Sequence, residues 1–128
     1  MVLPPSRLPA TAREKEWLEG AVGLERAKQW AAAEQAYATA TDRWPQSHDA
    51  WIGLGNARYS LGNATGAAEA FRKATEVKPD SGIAFNNLAF VLDELGRRDE
   101  ALAAAREAVS LGGPQVDAFR QTLSDIEK

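Results

Sequence analysis

The chain contains no cysteine, so disulfides and thiolate metal sites are excluded from its chemistry. Its single histidine, His48, gives a histidine-based metal centre little to build on. Its 128 residues carry a net charge of −3, which leaves no basic surface for nucleic acid. No apolar run approaches the length of a membrane span. We therefore expect no cofactor, no metal, no nucleic acid and no membrane among the partners.

The first ten residues have neither the charged start nor the apolar core of a secretory signal. They hold three prolines instead, Pro4, Pro5 and Pro9, and this composition predicts an extended, proline-rich linker over residues 1–10. The segment fits a complete protein and a domain cut from a longer one equally well. It assigns no compartment, and the cytoplasm is only the default.

What the chain does have is a period of 34 residues. One column of this period is aromatic throughout: Trp17, Trp51, Phe85 and Phe119. Two further columns are small: Ala33, Ala67 and Ala101, then Ala40, Ala74 and Ala108. A fourth column holds Tyr37, Phe71 and Ala105. A fixed period in this range is typical of stacked units that cannot bury their apolar faces alone.

Each unit has the pattern of two helices joined by a turn. Alanine is abundant and no useful stretch alternates apolar with polar residues, which disfavours strands. Thr11 to Glu14 forms a capping box at the start of the first helix. Gly62 and Gly96 mark turns inside later units, and Ser47 or His48 and Asp80 or Ser81 mark helix starts. We predict one domain over 11–128, with units at about 14–47, 48–81 and 82–115 and a capping helix at 116–128.

These columns resemble the tetratricopeptide repeat, whose pattern is W-x2-L-G-x2-Y, then A-x3-F, then A and P. The middle unit matches best, at Trp51, Leu54, Gly55, Ala67, Phe71, Ala74 and Pro79. It departs at the tyrosine column, where Arg58 stands and Tyr59 follows one place later. The resemblance implies an all-α fold: a right-handed α-α superhelix of three units with a C-terminal cap. The chain also resembles the repeat region that follows a papain-like peptidase domain in some bacterial proteins.

The sequence offers no convincing catalytic constellation. Ser47, His48 and Asp49 are neighbours in sequence, and adjacent residues do not face one another on a helix. A role at the start of a helix fits them better than a catalytic triad. We therefore expect a chain that is not itself an enzyme.

The resemblance implies a groove lined by the first helix of each unit. Apolar residues and amides occupy many of the inward positions that the family pattern defines, and apolar patches at positions expected to face water mark interaction sites. Asparagine amides both donate and accept, as the backbone of an extended peptide requires. The predicted groove residues are Leu18, Val22, Ile52, Asn56, Tyr59, Ile83, Asn86, Asn87 and Phe90. The competing interpretation is that the apolar ones pack under neighbouring units and the amides are solvated surface.

The charge of the inward positions favours a neutral or basic protein or peptide as partner. Two are basic and five are acidic: Lys15 and Arg26 against Glu19, Glu25, Asp49, Asp93 and Glu94. Some family members hold the acidic C-terminus of chaperones with lysines and asparagines on these helices. Where that clamp has Lys and Asn in the first unit and Lys and Arg in the third, this chain has Leu18, Val22, Ile83 and Asn87, so that ligand is not expected.

Two alternatives remain open beside a free-standing peptide-binding module. In one alternative the chain is an accessory domain of a larger enzyme, and its groove docks on a neighbouring domain or recruits substrate. In the other alternative it associates with itself through Trp30 or Trp44, which lie outside the best-matched columns.

Overall fold

The computed structural model describes residues 10–128, with side chains from Arg13 onward. The predicted linker lies outside the described residues except for Ala10, which is already the first residue of a helix. The predicted capping role of Thr11 likewise falls on a side chain outside the described ones.

The described residues form seven helices and no strand. Their bounds are α1 Ala10–Arg26, α2 Trp30–Arg43, α3 His48–Ser60, α4 Ala64–Val77, α5 Gly82–Glu94, α6 Arg98–Leu111 and α7 Val116–Glu127. Each helix packs on the next one along the chain, and in addition α1 contacts α3 and α5 contacts α7. This confirms the expected all-α stack of three helix pairs followed by a seventh helix.

The repeated columns occupy equivalent, buried places in the stack. All six alanines of the two small columns are 0% exposed, so they allow the helices around them to approach closely. Tyr37, Phe71 and Ala105 are buried as well. The first aromatic column is less uniform: Trp17 is 36% exposed, Trp51 and Phe85 are half-buried, and Phe119 is buried. Burial in this column therefore increases toward the C-terminal unit.

The turns inside the three units share one hydrogen-bond register. The backbone N–H groups of Gln29, Asn63 and Arg97 donate to the carbonyls of Leu24, Arg58 and Leu92, each at 2.9 Å. The residue before each donor has a positive φ: 58° at Lys28, 83° at Gly62 and 77° at Gly96. Glycine adopts this left-handed conformation without a steric cost, whereas it costs an L-residue such as lysine about 1–2 kcal/mol. The second and third helix pairs thus contain the same turn, as Gly62 and Gly96 predict.

Serine hydroxyls start the first helices of the second and third pairs. The Ser47 side chain accepts the N–H of Ala50 at 3.2 Å, and Ser81 accepts that of Ala84 at 3.1 Å. The N-cap residues are therefore Ser47 and Ser81, and not His48 and Asp80. His48 bonds to the Ser81 hydroxyl at 2.7 Å through Nε2 and to Asp49 at 3.1 Å through Nδ1.

This Ser81–His48–Asp49 chain has the order of a catalytic triad, but its serine is buried inside the stack. Ser81 is only 6% exposed, and its hydroxyl oxygen already accepts a backbone N–H at the start of α5. The hydrogen bonds therefore link the starts of α3 and α5, which lie in adjacent units.

Two glycines on α3 support the aromatic rings of the second helices. A Cβ on Gly53 would overlap the Tyr37 ring of the preceding pair, and a Cβ on Gly55 would overlap the Phe71 ring of its own pair. Each ring thus rests directly on helix backbone. The two rings are 2% exposed and belong to two buried clusters that together extend from α1 to α7.

The last helix closes the stack. Phe119 and Ile126 are each 4% exposed, and a Cβ on Gly82 would lie 2.6 Å from the Phe119 ring. Residues between them, such as Ser124 and Asp125, are exposed. A helix that buries one side and leaves the other wet suits the end of a solenoid.

Candidate functional site

Two adjoining pockets run along one side of α1, α3 and α5. The first pocket has a volume of about 720 Å³ and lies between α1 and α3, with Tyr37 of α2 at its base. The second has a volume of about 470 Å³ and lies between α3 and α5, with Trp30 and Phe71 contributing from the second helices. Glu25 and Asn56 line both pockets. We call the two pockets together the groove, because they adjoin at these shared residues.

Eight of the nine predicted groove residues line these two pockets. Leu18, Val22, Ile52 and Asn56 line the first, and Asn56, Tyr59, Asn86, Asn87 and Phe90 line the second. Ile83 is the exception: it lies in the first turn of α5, is 40% exposed and lines neither pocket. The structure therefore brings eight of the predicted residues together along one side of the stack and places Ile83 apart from them.

Sequence reasoning missed the base of the groove. In the sequence, Tyr37 and Phe71 stand out only as members of a repeated column, and Trp30 only as a candidate for self-association. All three also reach a pocket, although they lie on second helices. One signal in the sequence could have indicated this for Tyr37: Gly53 occupies an inward position and has no side chain to cover the ring beneath it.

An aromatic pair forms the far wall of the second pocket. The rings of Tyr59 and Phe90 meet edge to face, with centroids 5.7 Å apart and planes at 71°. They are 37% and 48% exposed. The Tyr59 hydroxyl donates to Glu94 Oε1 at 2.7 Å, and this hydrogen bond raises the pKa of Tyr59 above its usual value of 10.0. The pair is thus held in place while much of its apolar surface faces solvent.

Two buried oxygens in the groove have no hydrogen-bond partner among the described residues. They are Oε1 of Glu25 and Oδ1 of Asn86. Buried polar atoms in folded proteins are nearly always paired, so each exception points to a missing partner or a functional role. Both oxygens are acceptors, and what each lacks is a donor.

Tyr37, at the base of the first pocket, has a raised pKa. Burial, together with the nearby charges of Glu25 and Asp49, raises the pKa of Tyr37 to about 12. All three causes disfavour the tyrosinate, because it would be a desolvated anion beside other anions.

We expect this raised pKa to make the folded state sensitive to alkali. In the Tyr59→Phe variant Tyr37 is the only tyrosine, and its ionisation should have a midpoint near pH 12, followed by tyrosinate absorbance. The unfolded tyrosine ionises near pH 10.0, so the folded state retains its proton longer. The stability contributed by neutral Tyr37 is therefore complete below pH 10 and is lost as the pH rises toward 12.

The matched control is Tyr37→Phe, measured by chemical unfolding at the same pH values. Its free energy of unfolding should fall less between pH 10 and 12 than that of the Tyr59→Phe variant. A Tyr37 that ionised near pH 10 in the folded protein would contradict the interpretation.

Between residues 10 and 128 no three His, Asp or Glu side chains are grouped so that they could hold a metal ion. No helix in that same range is long and apolar enough to cross a bilayer.

The fold and the groove together define the chain as a helical repeat protein with an open face on its first helices. The sequence profile of the tetratricopeptide repeat matches residues 18–81 and 56–116, more than half of the chain. The chain therefore belongs to the tetratricopeptide repeat family. Nothing in the comparisons supports the more specific resemblance to the repeat region of papain-like peptidase proteins.

Relatives of known sequence or structure are varied. The chain is 33% identical over 76 residues to mouse Superkiller complex protein 3, a match that covers 59% of this chain but only 5% of that protein. Among solved structures, the type III secretion chaperone SycD of Yersinia enterocolitica, in complex with a peptide of the translocator YopD, superposes with a TM-score of 0.82 at 15% identity. That match covers 88% of this chain and 91% of the other.

Two fungal structures show the same fold. The TPR2B domain of yeast Sti1, in a complex with pHsp70, has a TM-score of 0.84 at 18% identity and covers 89% of this chain and 95% of its own. The Sgt2 TPR domain from Aspergillus fumigatus has a TM-score of 0.84 at 20% identity, with 98% and 83% covered. At these identities the likeness establishes the architecture.

Proposed function

We propose that this chain is a non-catalytic protein–protein interaction module that binds an extended peptide or a partner helix in the groove. The observation that carries this proposal is that the two pockets adjoin. They span all three helix pairs and share Glu25 and Asn56, so one elongated ligand can occupy both. A small metabolite would need a more enclosed site.

The chemistry of the groove suits a polypeptide. Leu18, Val22 and Ile52 supply apolar surface in the first pocket, and Tyr59 and Phe90 supply it in the second. Three asparagines, Asn56, Asn86 and Asn87, supply amides that pair with a peptide backbone. Apolar contacts alternating with backbone recognition are the usual means of holding an extended segment.

Two structural relatives support peptide binding as the function. SycD was solved with a peptide of YopD, and the TPR2B domain of Sti1 was solved in a complex with pHsp70. We extend the binding of peptides to this chain as a proposal, without extending those particular ligands. The acidic C-terminus of chaperones is not among the proposed ligands, because Leu18, Ile83 and Asn87 replace the basic residues that would hold it.

The test removes two amides from the groove. Peptides are selected from a displayed random library against the wild-type protein, and their affinities are then measured for the Asn56→Ala/Asn87→Ala variant. Losing two hydrogen-bonding side chains should weaken binding by about tenfold or more. Thermal unfolding by circular dichroism should show that the fold survives.

The control removes two amides elsewhere. Gln35 and Gln46 are exposed and line neither pocket, so Gln35→Ala/Gln46→Ala should bind the selected peptides like the wild type. Equal affinity of the Asn56→Ala/Asn87→Ala variant and the wild type, with both folded, would refute the groove as the binding site.

A second candidate is an accessory repeat region within a larger protein, such as an enzyme. The observation in its favour is the mouse relative, of which the matched repeats are only 5%. The groove would then dock on a neighbouring domain of the same polypeptide or recruit its substrate. The reading frame upstream of Met1 tests this idea, because a genuine start codon with no fused domain would remove its N-terminal form.

A further inference from the structure

We propose that the polypeptide bound by the groove places a lysine or arginine side chain against Glu25 and a neighbouring large apolar side chain against Tyr59 and Phe90. This inference rests on the proposed function, and it names the chemistry of the partner: a basic segment with an apolar anchor. It also separates this groove from those that hold an acidic chain end.

The first step is the position of Glu25. This residue lies in the last turns of α1 and, among the described side chains of that helix, is the one that lines both pockets. Within the part of the chain that the structure describes, it is also the only charged residue that lines the second pocket. Any segment that passes from one pocket to the other must therefore pass this carboxylate.

The second step is the missing donor. Oε1 of Glu25 is buried and has no hydrogen-bond partner within the described part of the chain. A buried carboxylate oxygen without a donor is costly, and a charged donor satisfies it best. Oδ1 of Asn86, in the second pocket, is unpaired as well. An amide can be satisfied by a neutral backbone N–H, so Glu25 alone fixes the sign of the ligand's charge.

The third step is the field around Glu25. Of the described residues, four carboxylates line the first pocket, Glu14, Glu19, Glu25 and Asp49, against two cations, Lys15 and Arg26. Lys15 lies 4.0 Å from Glu19, its nearest carboxylate partner. The excess of negative charge attracts a cation from solution and disfavours an anion.

The fourth step is the apolar anchor. Tyr59 and Phe90 present exposed ring surface in the same second pocket that Glu25 enters, and Trp30 lines it too. Since the hydroxyl of Tyr59 is bonded to Glu94, the ring has a fixed orientation before a ligand arrives. Aromatic side chains near a carboxylate accommodate both the aliphatic stem of a lysine or arginine and an adjacent apolar residue.

The experiment uses displayed random peptides as the probe, selected in parallel on the wild type and on Glu25→Gln. On the wild type, the selected sequences should be enriched in lysine or arginine at one position and in a large apolar residue close to it. On Glu25→Gln the basic preference should disappear and the apolar one should persist. Peptides from the wild-type selection should bind Glu25→Gln about tenfold or more weakly.

A matched control carries the same substitution on the same helix. Glu16 is exposed on α1 and lines neither pocket, so Glu16→Gln changes the net charge equally but should leave affinity within about twofold of the wild type. Replacing the basic peptide residue by norleucine should weaken binding to the wild type and hardly affect binding to Glu25→Gln, which isolates the pair. The free Glu25→Gln variant should melt no lower than the wild type, because its amide replaces a carboxylate that has one buried oxygen without a donor.

The outcomes separate this inference from the proposed function. If no peptides are enriched, or if the Asn56→Ala/Asn87→Ala variant binds them normally, groove binding itself fails. If peptides are enriched and depend on those asparagines but show no basic preference, or bind Glu25→Gln unchanged, only the cation at Glu25 is overturned. A Glu25→Gln variant that melted well below the wild type would also overturn it, because the carboxylate would then have a structural role.

Discussion

Removal of residues 116–128 is expected to lower the free energy of unfolding by about 3–6 kcal/mol and to make the chain aggregate. This segment contains α7, which buries Phe119 and Ile126 almost completely. Each such side chain contributes about 1.5–3 kcal/mol when it is fully buried. The loss would also expose apolar surface on α5 and α6, the two helices that α7 covers. Chemical unfolding and light scattering at two concentrations measure the two effects.

A surface substitution on the same helix provides the control. Ser124 is exposed on the outer side of α7, so Ser124→Ala should change the free energy of unfolding by less than about 0.5 kcal/mol. A shortened chain that remained soluble and unfolded at the wild-type denaturant concentration would show that α7 does not act as a cap.

Alanine at Gly55 is expected to destabilise the protein by about 1–3 kcal/mol, although glycine is normally the poorer residue in a helix. A Cβ at this position would overlap the Phe71 ring, which is 2% exposed and rests directly on the backbone of α3. Overpacking of this kind costs more than the roughly 0.5–1 kcal/mol that alanine gains in helix propensity. The free energy of unfolding in urea measures the balance.

Gly20 provides the opposite result from the same substitution. It lies in the middle of α1 with no atom within 4 Å of an added Cβ, so Gly20→Ala should stabilise the protein by about 0.5–1 kcal/mol. In the Gly55→Ala background, Phe71→Leu should cost less than it does alone, because the ring that clashes is gone. The same sign of effect at both glycines would contradict the packing argument.

Most helix boundaries can be predicted from local sequence patterns. Gly62 and Gly96, which mark turns in the sequence, lie in the turns that precede α4 (Ala64–Val77) and α6 (Arg98–Leu111). Glycine turns and repeated columns encode these ends locally, which is why they were predictable. The choice between Ser81 and Asp80 as a cap was left open, because it depends on which side-chain oxygen reaches the Ala84 N–H.

The lining of the groove can be predicted only in part from local sequence patterns. The register of the first helices was sufficient to predict that Asn56, Tyr59 and Phe90 share one face, because helical spacing alone decides which side chains lie together. It was not sufficient for Ile83, which stands near the start of α5 and beyond both pockets. It also missed Tyr37 and Trp30, whose part in the groove depends on how the second helices lean against their neighbours.

The amino-acid sequence by itself determined the stacked helix pairs, since small and aromatic residues repeating every 34 positions can be buried together only if equivalent pairs pile up in one register. Only the tertiary structure decided that Glu25 retains a buried oxygen with no donor in residues 10–128, that His48 reaches Ser81, and that Phe71 rests on Gly55. The physical reason is distance. A hydrogen bond or a ring contact between two helices is made or lost when the distance between them changes by about an ångström. The packing of the whole stack sets that distance.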